Sequence, residues 1–157
     1  MPNRKAVVEG CRIPPTRHGF CLSGGMQVKQ LMHPHPVSVQ CRQTIAAAAR
    51  LLEQLDVRHL PVLDGTRLVG MLSDRDFREV LPDGLEIEAP REIADRQVST
   101  ITASEVISVT PDADISEAVD LIVGRKIGAL PVVEEGHVLV GILTYTDLLQ
   151  EIRNRVS

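Results

Sequence analysis

Two short stretches place a hydroxyl and a carboxylate three residues apart, directly behind an apolar run that contains a glycine. They are Gly70-Met71-Leu72-Ser73-Asp74-Arg75-Asp76-Phe77 and Gly141-Ile142-Leu143-Thr144-Tyr145-Thr146-Asp147-Leu148. A carboxylate in such a place can accept hydrogen bonds from both hydroxyls of a vicinal diol, and charge-assisted bonds of this kind are worth about 1.5–3 kcal/mol each. If a helix starts at the hydroxyl residue, its free N–H groups and positive dipole end suit a phosphate. Glycines inside strands, here Gly70 and Gly141, mark places where a ligand or another backbone comes close. The same spacing also makes a capping box, which stabilises a helix start by about 0.5–2 kcal/mol and needs no ligand. The two uses are compatible, because a carboxylate can cap an empty site and bind when the site fills.

Other candidates are scattered. Arg58 and His59 stand at the end of a helical pattern, where cations either complement the helix dipole or reach a phosphate. His33-Pro34-His35-Pro36 offers two imidazoles to a metal, or simply a stiff lead-in to a strand. Cys11, His18 and Cys21 supply three possible zinc ligands without a close pair. No nucleophile elbow, His-Glu-x-x-His pair or phosphate-binding P-loop is present, and Ser23-Gly24-Gly25-Met26 lacks the Gly-Lys-Ser/Thr ending. The carboxylates of the two stretches are expected to face separate clefts, so no acid/base pair emerges and the chain does not read as an enzyme.

The elements that must hold these groups come as a repeat. Residues 37–64 match 107–134 at an offset of 70, pairing Ile45 with Ile115, Leu51 with Leu121, and Leu60-Pro61-Val62 with Leu130-Pro131-Val132. One inserted residue moves the offset to 71, after which Gly70 meets Gly141 and Asp76 meets Asp147. Each copy predicts a short strand around 37–40 or its counterpart, then a helix with apolar residues at Ile45, Ala48, Leu52 and Leu55, or Ile115, Ala118, Val119 and Ile122. Asp114-Ile115-Ser116-Glu117 predicts a capping box at the second of these helices. Two strands follow, the first pair joined at an Asp64-Gly65 hairpin signal, and a closing helix ends the unit. A β-α-β-β-α unit of this size is too small to bury its own sheet. An α+β fold is therefore expected, with the two units packed face to face around a pseudo-two-fold axis. The predicted organisation is a flexible arm at 1–27, repeat one at 28–80, a link at 81–97 with a helical turn near 91–96, and repeat two at 98–157.

Composition bounds the partners. The 157 residues carry a net charge of −4, and 43% of them are hydrophobic, supplied almost wholly by aliphatic side chains because there are two Phe, one Tyr and no Trp. The charge argues against a nucleic-acid or anionic-membrane surface, and the lack of aromatics against a base-stacking platform. No apolar run reaches the length of a membrane span, no secretory signal is visible, and three cysteines, odd in number and not in close pairs, suit a reducing compartment. A cytoplasmic location is expected.

Three features, in order and twice over, resemble those of the tandem CBS-domain pair, or Bateman module. They are the lead-in at 28–39 echoed at 98–109, the Leu-Pro-Val strand, and the pattern Gly-apolar-x-Ser/Thr-x-x-Asp. The resemblance implies two clefts that take an adenosine-containing ligand such as AMP, ADP, ATP or S-adenosylmethionine. Asp76 and Asp147 would hold ribose hydroxyls, with Ser73, Arg75, Thr144 and Thr146 near the ribose or phosphate. Val37 and Ile107 would bracket the base, and Arg58 and His59 would reach the phosphates. Gly128 and Ala129 replace that basic pair in copy two, so a phosphorylated ligand is expected to prefer the cleft of copy one. The resemblance further implies a homodimer that regulates an unidentified partner protein and requires no cofactor. A ligand-free dimerisation scaffold is the alternative.

Overall fold

The computed structural model describes residues 25–81, 90–103 and 105–156. The expected arm up to residue 24, with its Cys11, His18 and Cys21, lies outside the described residues, as do 82–89 of the expected link.

Copy one comprises β1 (His33–Pro34), β2 (Val39–Gln40), α1 (Ile45–Leu55), β3 (His59–Asp64), β4 (Arg67–Ser73) and α2 (Asp74–Val80). A single helical turn, α3 (Arg91–Ala94), follows. Copy two comprises α4 (Ile115–Arg125), β5 (Ala129–Glu134), β6 (Val138–Thr144) and α5 (Tyr145–Val156). The strand expected near Ile107 is reduced to one parallel bridge, Val109 with Val132, the counterpart of the Val39–Val62 pair that joins β2 to β3.

The helices follow from their sequences. In α1, Ile45, Ala48, Ala49 and Leu52 are buried on one stripe, and Thr44 Oγ1 accepts the Ala47 N–H at 3.2 Å as an N-cap. Leu55, the last residue of α1, stays outside the core and is 45% exposed. At α4 the cap differs from expectation. Asp114 Oδ1 accepts the N–H and the hydroxyl of Ser116, at 2.8 and 2.6 Å, instead of the Glu117 N–H, because the serine hydroxyl offers a second donor one residue earlier. Those two bonds, the hydroxyl's first, hold the Asp114 carboxyl below the usual carboxylate range.

Strands β3 and β4 pair antiparallel from His59–Ser73 to Asp64–Arg67, so Asp64 ends a strand and Gly65-Thr66 make the turn. Gly65 has φ +65°, which suits the first place of a two-residue hairpin turn. β5 and β6 repeat this ladder from Ala129–Thr144 to Glu134–Val138, with a register shift at the equivalent point in each copy, after Val62 and after Val132. The inserted residue falls in the longer turn Glu135–His137. The two ladders touch at one bridge, Arg67 with Val138, over a small cluster of Leu63, Leu68 and Val133.

The lead-in segments are exchanged between the copies. Val28 is fully buried in the core of copy two, with Met26, Leu31 and Met32 around it, and its N–H donates to Ala113 O at 2.9 Å. Val98 is likewise buried in the core of copy one, beside Ile93 and Ile101, and its N–H donates to Gln43 O at 2.8 Å. β1 accordingly pairs with β6, His33 opposite Ile142 and Pro34 opposite Gly141. The close approaches anticipated at the strand glycines are these lead-ins. A Cβ on Gly141 would lie 2.5 Å from Met32 Sδ and 3.2 Å from His33 O, and one on Gly70 would overlap the Thr102 methyl and meet Ala103 O at 3.5 Å.

Candidate functional site

Each Ser/Thr-x-x-Asp stretch sits at a strand-to-helix junction and closes on itself. Asp76 Oδ2 accepts the N–H and the Oγ–H of Ser73, both at 2.7 Å. Asp147 Oδ2 accepts the N–H and Oγ1–H of Thr144 at 2.7 and 2.6 Å. The capping role is therefore real in both copies, and it uses one oxygen of each carboxylate.

Two clefts open beside these carboxylates. Cleft one, about 500 Å³, brings Ser73, Arg75, Asp76 and His59 together with Lys126, Ile127, Gly128 and Ala129. Cleft two, about 630 Å³, brings Thr144, Thr146, Asp147 and Val37 together with Arg58, His59, His33, His35, Tyr145 and Gln150. Each cleft thus combines the carboxylate of one copy with the helix-to-strand corner of the other, 126–129 for cleft one and 56–59 for cleft two.

That combination corrects the expectation for Arg58. Neighbours along an extended chain point to opposite sides. His59, paired with Ser73 across the ladder, faces the carboxylate of its own copy, whereas Arg58 lines the cleft of Asp147. The cation that the other copy contributes to cleft one is Lys126, which sequence reasoning missed. It is the equivalent of Asp56, and both residues end their helices in the left-handed region, with φ 54° and 49°. Aligning Arg58-His59 with Gly128-Ala129 drew attention two residues past it. Of the two residues expected to bracket the base, Ile107 is partly buried against the core of copy two, while Val37 is 45% exposed and lines cleft two.

His59 stands where the two corners meet and lines both clefts. Its ring occupies the space a side chain at 128 would need, since a Cβ there would lie 2.7 Å from His59 Cε1. Burial lowers the basicity of this imidazole; the Asp74 and Asp76 carboxylates oppose that effect, and Arg58 adds to it. Asp74 is itself paired with Arg78 one turn along α2.

His33, which the sequence offered as a metal ligand or as part of a stiff lead-in, takes a different role. Its Nε2–H donates to Asp147 Oδ1 at 2.8 Å, so the Asp147 carboxylate, 8% exposed, has both oxygens engaged. Among the described residues Asp76 Oδ1 has no such partner, because Ala103 stands where His33 stands in copy one. Among the described residues no group of three or more His, Cys, Asp or Glu side chains is placed to hold a metal ion. No helix among them is long and apolar enough to cross a membrane.

Comparison with known proteins identifies the architecture. The CBS domain-containing protein YhcV of Bacillus subtilis is 33% identical over 121 residues, which cover 77% of this chain and 81% of YhcV. The A-adding tRNA nucleotidyltransferase of Geobacter sulfurreducens is 32% identical over 120 residues, 76% of this chain but 13% of that enzyme. The crystal structure of CBSX2 in complex with AMP superposes with a TM-score of 0.74 at 25% identity, over 85% of this chain and 100% of that one. The CBS domain model matches twice, at residues 28–83 and 98–154, and the chain belongs to the CBS-domain family as a tandem pair.

Proposed function

We propose that the protein is a regulatory module that binds an adenosine-containing ligand in its clefts and passes the occupancy on to a partner protein. The observation that carries this reading is Asp76 Oδ1. It is a carboxylate oxygen without a partner among the described residues, at the head of a cleft that also holds two cations, Arg75 and Lys126. A ribose diol supplies donors for the oxygen, and a phosphate suits the cations. The AMP bound by CBSX2 supports the ligand class. The partner would be regulated by differential affinity of the ligand for two states of the module, the only way a ligand can shift such an equilibrium. Self-association of two copies belongs to the same reading. Val123 on α4 and Leu149 and Val156 on α5 are apolar and exposed, and light scattering of the purified protein would give the stoichiometry.

The direct test is thermal unfolding with AMP, ADP, ATP, NAD and S-adenosylmethionine. A ligand at 100 times its Kd stabilises the fold by about 2.7 kcal/mol. For a chain of this size that raises Tm by roughly 5–11 °C. No shift with any of the five at millimolar concentration refutes the proposal and leaves the ligand-free scaffold, which the internal capping of both carboxylates would then explain.

A further inference from the structure

The two clefts are equivalent in fold but not in readiness. A carboxylate has about four lone-pair sites on its two oxygens. In cleft one, two of them take Ser73, and among the described residues nothing else bonds Asp76, which leaves both sites on its Oδ1 for a ligand. In cleft two, the Thr144 donors take both sites on Asp147 Oδ2, and His33 Nε2 takes one on Oδ1. A diol that needs two acceptors therefore finds one.

His33 is not loosely placed. It sits on β1, paired with Ile142, and prolines at 34 and 36 stiffen the segment. The next residue fastens it again, with His35 N–H donating to Val140 O at 3.2 Å. The imidazole itself remains 68% exposed, so nothing packed over it prevents the ring from swinging away. The geometry points to His33 as an internal competitor for the ribose: it holds Asp147 in the empty module, makes cleft two the weaker site, and causes cleft one to fill first.

This inference rests on the adenosyl reading above. The test is calorimetric titration of the full chain with AMP, comparing wild type with His33→Ala and His33→Gln. Glutamine presents its amide N–H near the position of Nε2 and should keep the block, so it also controls for disturbance of β1. Wild type is expected to show a tighter and a weaker site. His33→Ala should tighten the weaker one by about ten-fold, the scale of a lost hydrogen bond to a charged group. His33→Gln should leave it as it was. Asp76→Asn should remove the tighter site in either background. Unchanged or weakened binding at the second site in His33→Ala overturns the competitor role while the adenosyl reading stands. Absence of AMP binding by wild type and every variant overturns the competitor role for AMP, and the adenosyl reading falls with it only if ADP, ATP, NAD and S-adenosylmethionine also fail to bind.

Discussion

Replacing Gly70 by alanine tests whether the exchanged lead-in really lies against β4. The added Cβ would overlap the Thr102 methyl and crowd Thr102 Cβ at 3.3 Å by a few tenths of an ångström, while Ala103 O at 3.5 Å is in ordinary contact. The conflict is therefore with one side chain, chiefly its methyl group. Thr102 cannot simply rotate it away without cost, because Oγ1 donates to Val98 O at 2.8 Å and Val98 is a fully buried anchor of the first core. Overpacking of this kind costs about 1–3 kcal/mol. At roughly 2–4 °C per kcal/mol for a chain of this length, Tm should fall by roughly 2–12 °C. Thr102→Ser removes the offending methyl and keeps the hydroxyl, costing less than about 0.8 kcal/mol because the residue is only half-buried. The double variant should then be about as stable as Thr102→Ser alone, with a coupling of at least about 1 kcal/mol between the sites. Calorimetry or urea unfolding of the four proteins closes the cycle. If the two changes add to within about 0.5 kcal/mol, or Gly70→Ala is neutral, the contact does not exist and the exchange of lead-ins is wrong.

Three further outcomes are expected. Since burial leaves His59 less basic than it is in the unfolded chain, the unfolded state takes up the proton first. Stability should be complete above about pH 6.5, fall as the pH drops through the lowered folded value, and then level off. His59→Asn should flatten that limb in urea midpoints measured across pH, and an unchanged slope would assign it to another group. Thr44→Ala removes the N-cap of α1 and should cost about 1 kcal/mol by urea unfolding. Leu72→Ala, at a fully buried site, should cost about 2–5 kcal/mol, whereas Leu55→Ala should cost under about 1 kcal/mol because that side chain is already half in water.

The repeat was legible because its marks are local. Leu60-Pro61-Val62 and Leu130-Pro131-Val132 announce the same buried strand, and the shift of offset at Glu135 announces a longer turn. Ser73 with Asp76 and Thr144 with Asp147 were legible for the same reason, since three residues separate the partners. What the sequence did not disclose was which of two equivalent cores each equivalent segment joins. Val28 is as well suited to the pocket among Ile45 and Leu60 as to the one among Ile115 and Leu130, and no pattern in one chain chooses between them. The His33–Asp147 bond spans 114 residues and follows from the exchange, so it was invisible for the same cause. Arg58 and Lys126 were hidden for another reason: Arg58 faces away from its neighbour His59, and Lys126 lies two residues before the aligned Gly128-Ala129. The cap at Asp114 failed on a smaller scale, where the neighbouring hydroxyl of Ser116 won a contest that spacing alone awarded to Glu117.

The exchange of lead-ins also determines what counts as a foldable piece of this chain. Residues 26–32 finish a core built by the second half, and 93–101 finish one built by the first. A half-length chain would lack part of its own wall and carry a part that belongs elsewhere, but two copies of one half could trade those parts. Cleavage between residues 81 and 90 should therefore yield fragments that fold only by reassociating. The unit that duplication, truncation or transplantation can move intact is the pair.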